Sequence, residues 1–319
     1  MLLSEAVEAL CIATRADGRS LRTVEAYRQK LTPLVAFLGD PPAELVTTGD
    51  LRRFVVHLQE QPTRWADHPR HTERAGGLSP FTIASSVRHV KRLFNFLEAE
   101  GVITVNPARR IKTPSPRRVE PKGIAQGDFL ALLGTTEGGT VADLRDRAVL
   151  LLLADTGCRV GGLCGLRVYD VNLGTRLARV TEKGGKTRFV PFTRTTAEAI
   201  QWWLEVRPQG KGDSLFVGLG NRARDELTPT GVAKMLKARA KRAGVAGPVN
   251  PHSFRHAFAR DFLMGGGDLG TLADLLGHTS VMVTKDYYGI FTTQELQEKH
   301  ARHSPIAQLF EGVRDDNKL

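Results

Sequence analysis

Arg159, Lys183, His252, Arg255, His278 and Tyr287 are scattered over the C-terminal half of this chain. Their types suit one kind of chemistry. A phenol attacks a phosphodiester when cations hold the phosphate and neutralise the charge that builds on it. Every other member of the set is a cation or can become one. Taken singly the residues say little. An arginine after a helix end, as in Thr156-Gly157-Cys158-Arg159, is ordinarily a surface group, and a lysine in Lys183-Gly184-Gly185-Lys186 is ordinarily solvated. His252 and His256 stand at the i, i+4 spacing of a zinc helix. Ser253 occupies the place where a zinc protease carries its glutamate, so no metal site is expected.

These residues need elements to position them. Thr23, Tyr27, Leu31, Leu34 and Phe37 recur at helical spacing behind a capping Ser20, and Gly39-Asp40-Pro41-Pro42 ends that helix. A second helix is expected from Thr48, with Leu51, Phe54, Val55 and Leu58 on its apolar face, and residues 61–79 read as a loop. Ser79-Pro80 opens a long helix that turns Ile83, Val87, Val90, Leu93, Phe94 and Phe96 inward. Its Arg88, Lys91 and Arg92 lie mostly elsewhere on the surface. Asn106-Pro107 stops the helical region. Residues 108–123 follow as a basic, Pro-rich linker, where Pro114, Pro116 and Pro121 forbid a continuous helix. A second domain, 124–319, is expected to begin with a strong helix over 142–156. Strands are predicted near 167–171, 177–181 and 188–192, with Gly184-Gly185 turning the last pair, then helices over 195–206, 228–242, 251–263 and 268–276 and a piece from about Thr284. The fold class read from this pattern is mainly α: a helical domain over 1–107, then a mixed α/β domain with a small three-stranded antiparallel sheet.

Composition narrows the partners. The 319 residues carry a net charge of +11, which favours a polyanion, either nucleic acid or an acidic membrane surface. The longest apolar run, 148–154, is far short of the roughly 20 residues of a membrane span. The N-terminus has no basic region before its apolar stretch and carries Glu5 and Glu8, unlike a signal peptide. Cys11, Cys158 and Cys164 lack CxxC spacing and read as reduced residues of a cytoplasmic protein.

The joint order is far more specific than any single residue. TGCRVGGLCGL, EKGGKTRFVPF, PHSFRHAFA and LGHTSVMVTKDYYG follow one another at spacings that suit one compact domain. This set resembles the tyrosine recombinase (phage integrase) family, whose catalytic fold is shared with type IB topoisomerases. The front half, from SLRTVEAYRQKL to the NPA at 106–108, looks like that family's core-binding domain. The tail ELQEKHARHSP looks like the C-terminal helix of Xer-type members. The resemblance implies a site-specific enzyme that cuts and rejoins duplex DNA through a 3′-phosphotyrosine, without metal, ATP or other cofactor. It implies that Arg159 and Arg255 clamp the phosphate and that Lys183 protonates the leaving 5′-oxygen. His252 and His278 would assist, and Tyr287 would attack. Tyr287 is preferred to the adjacent Tyr288 by its distance from Leu276-Gly277-His278, and Tyr288 reads as packing or a backbone contact. Two domains would close on DNA, four like or unlike protomers would form the synapse, and a helix over about 292–303 would dock into a neighbour. Resolution of chromosome dimers and a plasmid, transposon or phage role are both compatible with the motifs.

The pattern breaks in places. The family carries an acid three residues after its first catalytic arginine, and Gly162 stands there. Glu182 precedes Lys183 where glycine is common, and Phe254 replaces an aliphatic residue. Gly162 supports the rival reading, a catalytically impaired DNA-binding protein on the same fold. The filled polar positions favour an active enzyme.

Overall fold

The computed structural model describes residues 1–64, 74–115, 122–181, 185–209, 212–219, 225–278 and 280–288, together with 295, 297, 298, 300, 301 and 304. The chain divides into two compact units, Met1–Val119 and Glu120–Leu319.

The first unit is helical because each apolar stripe finds a partner stripe. It contains α1 (Leu3–Ala16), α2 (Leu21–Leu38), α3 (Thr48–Glu60) and α4 (Pro80–Ala99). Ser20 caps α2 by accepting from the Thr23 amide, and Gly39 ends it in the left-handed region at φ 74°. Thr47 and Asp50 form a reciprocal capping box on α3. Leu10, Leu31, Leu34, Phe54, Leu93, Phe94 and Leu97 are fully buried in a common core. Arg88 and Arg92 are exposed on α4. Residues 61–79, expected as a loop, include a two-residue antiparallel pair, β1 (Thr63–Arg64) with β2 (Arg74–Ala75). The Pro-rich segment is anchored at its start. Ala108 and Ile111 are buried in this core, and the Lys91 amine donates to the Ile111 carbonyl at 2.8 Å.

The second unit is built around α6 (Val141–Thr156), which is buried without a break from Ala148 to Leu153. Packed about it are α5 (Gln126–Gly134), α7 (Val160–Cys164), α8 (Arg194–Val206), α9 (Pro229–Ala243) and α10 (Pro251–Met264); α11 (Leu269–Leu276) and α12 (Val281–Tyr288) complete the helices. The sheet is three-stranded and antiparallel in the order β3 (Val171–Asn172), β4 (Leu177–Thr181), β5 (Thr187–Pro191). In β4 and β5, Val180 pairs with Arg188 and Ala178 with Val190, which puts those four on one face.

The strand expected near 167–171 shrinks to the two residues of β3. A 3-10 turn over Val168–Asp170 takes the rest, because the chain here pairs elsewhere: the Val168 amide donates to Asp213 O, and the Leu215 amide donates to Leu166 O. A buried ionic network ties α6 to α9. Arg239 donates to Asp146, to Asp143 (2.7 Å) and to the Thr135 carbonyl (2.6 Å), while Arg145 donates to Asp146 and the Val217 carbonyl.

Candidate active site

The site lies where the C-terminal ends of α6 and α11 meet the N-terminal part of α10 and helix α12. Helix α6 stops at Gly157, whose φ of 56° is left-handed and whose Cα faces Phe258: a Cβ there would sit 2.5 Å from Phe258 Cδ1. The close approach lets the Gly157 carbonyl reach α10. Two residues on, Arg159 is the N-cap of α7, with its backbone extended and its side chain half-buried.

Helix α10 starts at an Asn250 cap with Pro251 in its first turn. Phe254 packs in the core and Arg255, 5% exposed, points at the ends of the neighbouring helices. Its guanidinium donates from Nη1 to Gly157 O (2.8 Å), and from Nη2 to Leu276 O (2.8 Å) and His278 Nε2 (2.9 Å). One side chain thus joins the last carbonyls of α6 and α11, the C-terminal groups a helix leaves unsatisfied.

Gly277 closes α11 in the left-handed region at φ 65° and delivers His278 to this cluster. Because Arg255 can only donate, His278 Nε2 is the acceptor, and the proton of the neutral ring sits on Nδ1. Nδ1 then donates to Thr284 Oγ1 at 2.7 Å. Burial first, then the charges of Arg255, Arg159 and Arg188, push the His278 pKa down to about 4. Tyr288, one turn after Thr284 on α12, is 6% exposed. Its ring lies parallel to His278 (2°, centroids 6.3 Å apart) and tilted against His256 at 5.4 Å, and its side chain hydrogen-bonds to Arg255.

Burial, and then the charges of Arg255 and Arg188, also lower the pKa of Arg159; burial chiefly lowers that of Arg255, with Tyr288 opposing the shift and Arg188 adding to it. Arg188, half-buried on β5, feels burial chiefly, with Cys158 beside it. Guanidiniums remain charged through such shifts. What the site holds is therefore positive charge drawn together in a partly dry setting, an arrangement that an anion relieves.

The structure brings Arg159, Arg255 and His278 together. His252 is exposed in the first turn of α10, and its charge acts on His256. Tyr287 lies on α12 with its side chain outside the described residues, as do Lys183 and its neighbours Glu182 and Gly184 between β4 and β5. Most of the expected helix over 292–303 also falls outside the described residues; Glu295 pairs with Arg260 of α10. Gly162 is buried in α7. Tyr288, read from sequence as packing or a backbone contact, does pack, and it also bonds to the phosphate-clamp candidate. Arg188 was not singled out at all. Its signal was available: in Thr187-Arg188-Phe189-Val190, strand alternation puts the arginine on the side of buried Val190 and Phe189, 64% exposed, outside.

Cations drawn together over a partly buried seat, in a largely helical unit with one small sheet, suit an enzyme of phosphoryl transfer on a polyanion. Residues 124–293 match the phage integrase family, and the chain belongs to that family. Among its relatives, tyrosine recombinase XerD of Mycobacterium leprae (strain TN) is 33% identical over 302 residues, 90% of this chain and 92% of that protein. Tyrosine recombinase XerC of Haemophilus influenzae (strain Rd) is 35% identical over 235 residues, 73% of this chain and 78% of the other. The fold is similar to that of the Tn1549 transposon integrase in complex with transposon right end DNA (TM-score 0.75, 19% identity, 95% and 99% of the two chains). It is similar also to XerH recombinase bound to a palindromic difH substrate (TM-score 0.69, 20% identity, 92% and 83%). The chain is an Xer-like tyrosine recombinase, a DNA-cleaving and religating enzyme.

Proposed function

We propose that Arg159 and Arg255 hold the non-bridging oxygens of the scissile phosphate while Tyr287 attacks phosphorus in line. The observation that carries this reading is the convergence of Arg159, Arg255 and the neutral His278 on one partly buried seat. Two guanidinium forks match the oxygens of a phosphodiester and stabilise the added charge of the pentacovalent transition state. In the step, the Tyr287 oxygen forms a bond to phosphorus and the bond from phosphorus to the 5′-oxygen breaks. The leaving oxygen takes a proton from Lys183, and the phenol proton passes to His252 or solvent. The 3′-phosphotyrosine conserves the bond energy, so a free 5′-hydroxyl reverses the reaction. His278 acts on Arg255: its acceptor Nε2 and the Gly157 and Leu276 carbonyls fix the guanidinium plane.

A second reading concerns the phenol. Tyr288 already bonds to Arg255. The spacing from Leu276-Gly277-His278 supports Tyr287 as nucleophile, with Tyr288 holding Arg255 until phosphate replaces it. If Tyr288 attacks instead, the covalent adduct with a nicked suicide duplex disappears in Tyr288→Phe and survives in Tyr287→Phe. The proposed assignment requires the opposite result.

The wider reading is a cytoplasmic enzyme working as a tetramer of like or unlike protomers on two duplexes, in chromosome-dimer resolution or in movement of a genetic element. The names of the Xer relatives support its recombinase part, and that of the transposon integrase supports movement of a genetic element. Crosslinking on DNA tests the assembly: a species larger than four protomers, or none above a dimer, contradicts it.

A further inference from the structure

Arg188 has a place in this site that the recombination mechanism above leaves unused. Its aliphatic stem and Nε run across the Cα of Gly277: a Cβ at Gly277 would lie 2.5 Å from Arg188 Nε and 2.9 Å from Cδ. Gly277 is the residue before His278 and the cap of α11. The absence of a side chain there therefore opens a path for the arginine from the sheet to the histidine turn. Cross-strand pairing with Val180, and the buried Val190 two residues on, turn Arg188 to the inner face of β5. Its charge acts on Arg159, Arg255 and His278, each a member of the seat. A strand arginine on an inward position is costly to bury, and bringing it towards two like charges adds to that cost. A bound phosphodiester is the group whose chemistry offsets both.

We propose that Arg188 supplies a third guanidinium to the seat of the scissile phosphate. The inference rests on the recombinase reading of that seat and goes beyond it in one respect. The segment of chain that includes Lys183 also delivers a phosphate ligand five residues further on, from β5. The groups facing His278 from the packed elements are Arg255 on α10, Arg159 at the start of α7, Arg188 on β5 and Tyr288 on α12.

The test uses the full chain and a nicked duplex carrying a site that the wild-type protein captures covalently from a randomised library. Single-turnover cleavage is compared for wild type, Arg188→Gln and Arg188→Lys on the ordinary phosphodiester. It is then compared on a methylphosphonate at the scissile position, which lacks the charge and one non-bridging oxygen. Loss of one pre-organised donor to a transition-state oxyanion costs about 10²-fold. Arg188→Gln is therefore expected to cleave the phosphodiester about 100-fold more slowly, Arg188→Lys to recover part of the loss, and the wild-type advantage to fall below about 3-fold on the methylphosphonate. A purely structural role gives the same deficit on both substrates, which overturns the proposal, as does an undiminished rate in Arg188→Gln. If Arg188→Gln does not fold, the substrate comparison is made with Arg188→Lys under the same criterion. Failure of the wild type to form any adduct overturns the recombinase reading of the seat and this inference with it. A normal wild-type adduct with an unaffected Arg188→Gln overturns the inference alone.

Discussion

Arg255→Lys separates the two jobs the structure gives this residue. Arg255 satisfies Gly157 O, Leu276 O and His278 Nε2 from two nitrogens of one planar fork. A lysine has a single nitrogen on a shorter reach to these acceptors, which lie on separate segments, so at least one carbonyl and the histidine nitrogen lose their donor. A buried acceptor left unsatisfied costs about 1–3 kcal/mol, and water entering the opened site returns part of that. The net expectation is a loss of about 2–4 kcal/mol. At about 2–4 °C per kcal/mol for a domain of this size, the melting temperature of the second unit falls by about 5–15 °C. Differential scanning calorimetry on the full chain without DNA reads this directly, because no substrate is present to mask it. The first unit, whose core Arg255 does not enter, keeps its transition. A second-unit transition within about 2 °C of wild type would refute the reasoning, since Arg255 would then be a phosphate ligand with no part in joining α6, α10 and α11.

Other perturbations have expected outcomes of their own. Arg239→Ala leaves Asp143 and Asp146, each with a side chain only 5% exposed, without their shared cation, and is expected to destabilise the fold by about 3–5 kcal/mol in urea titration. Gly157→Ala sets a Cβ against Phe258 at a left-handed φ and is expected to cost about 2–4 kcal/mol by the same measurement, through strain and a clash. His278 has a folded pKa near 4, below its ordinary value of about 6.5, so the unfolded chain binds the proton first as pH falls. Its contribution is intact above about pH 6.5 and is lost on the way down to about 4, at no more than about 1.4 kcal/mol per pH unit. The urea midpoint of wild type should therefore fall more steeply over that interval than that of His278→Asn, and parallel curves would count against a neutral, Arg255-bonded histidine.

Much of this architecture was legible because local signals agreed with packing. Ser20, Ser79 and Asn250 cap helices where sequence placed helix starts, and Gly184-Gly185 lies between the paired strands β4 and β5. The strand near 167–171 was legible only in part, because its pairing is with residues more than forty positions away: Val168 with Asp213 and Leu166 with Leu215. Ala108 and Ile111 read as linker on composition, yet their apolar side chains reach the first unit's core. In the site, motif order singled out Arg159, Arg255 and His278, which do converge. It was blind to Arg188, whose path depends on a glycine almost ninety residues downstream, and to the Tyr288–Arg255 bond, which joins two separate helices.

The most direct measurement is covalent capture on a suicide substrate. A duplex nicked next to the cleavage position traps the enzyme once the short fragment diffuses away, and the adduct is resolved by denaturing electrophoresis and located by peptide mass spectrometry. The predicted result is a phosphotyrosyl adduct at Tyr287, formed in the presence of chelator, absent in Tyr287→Phe and retained in Tyr288→Phe. No adduct on a site the protein binds, or an adduct that persists in Tyr287→Phe, would contradict the account.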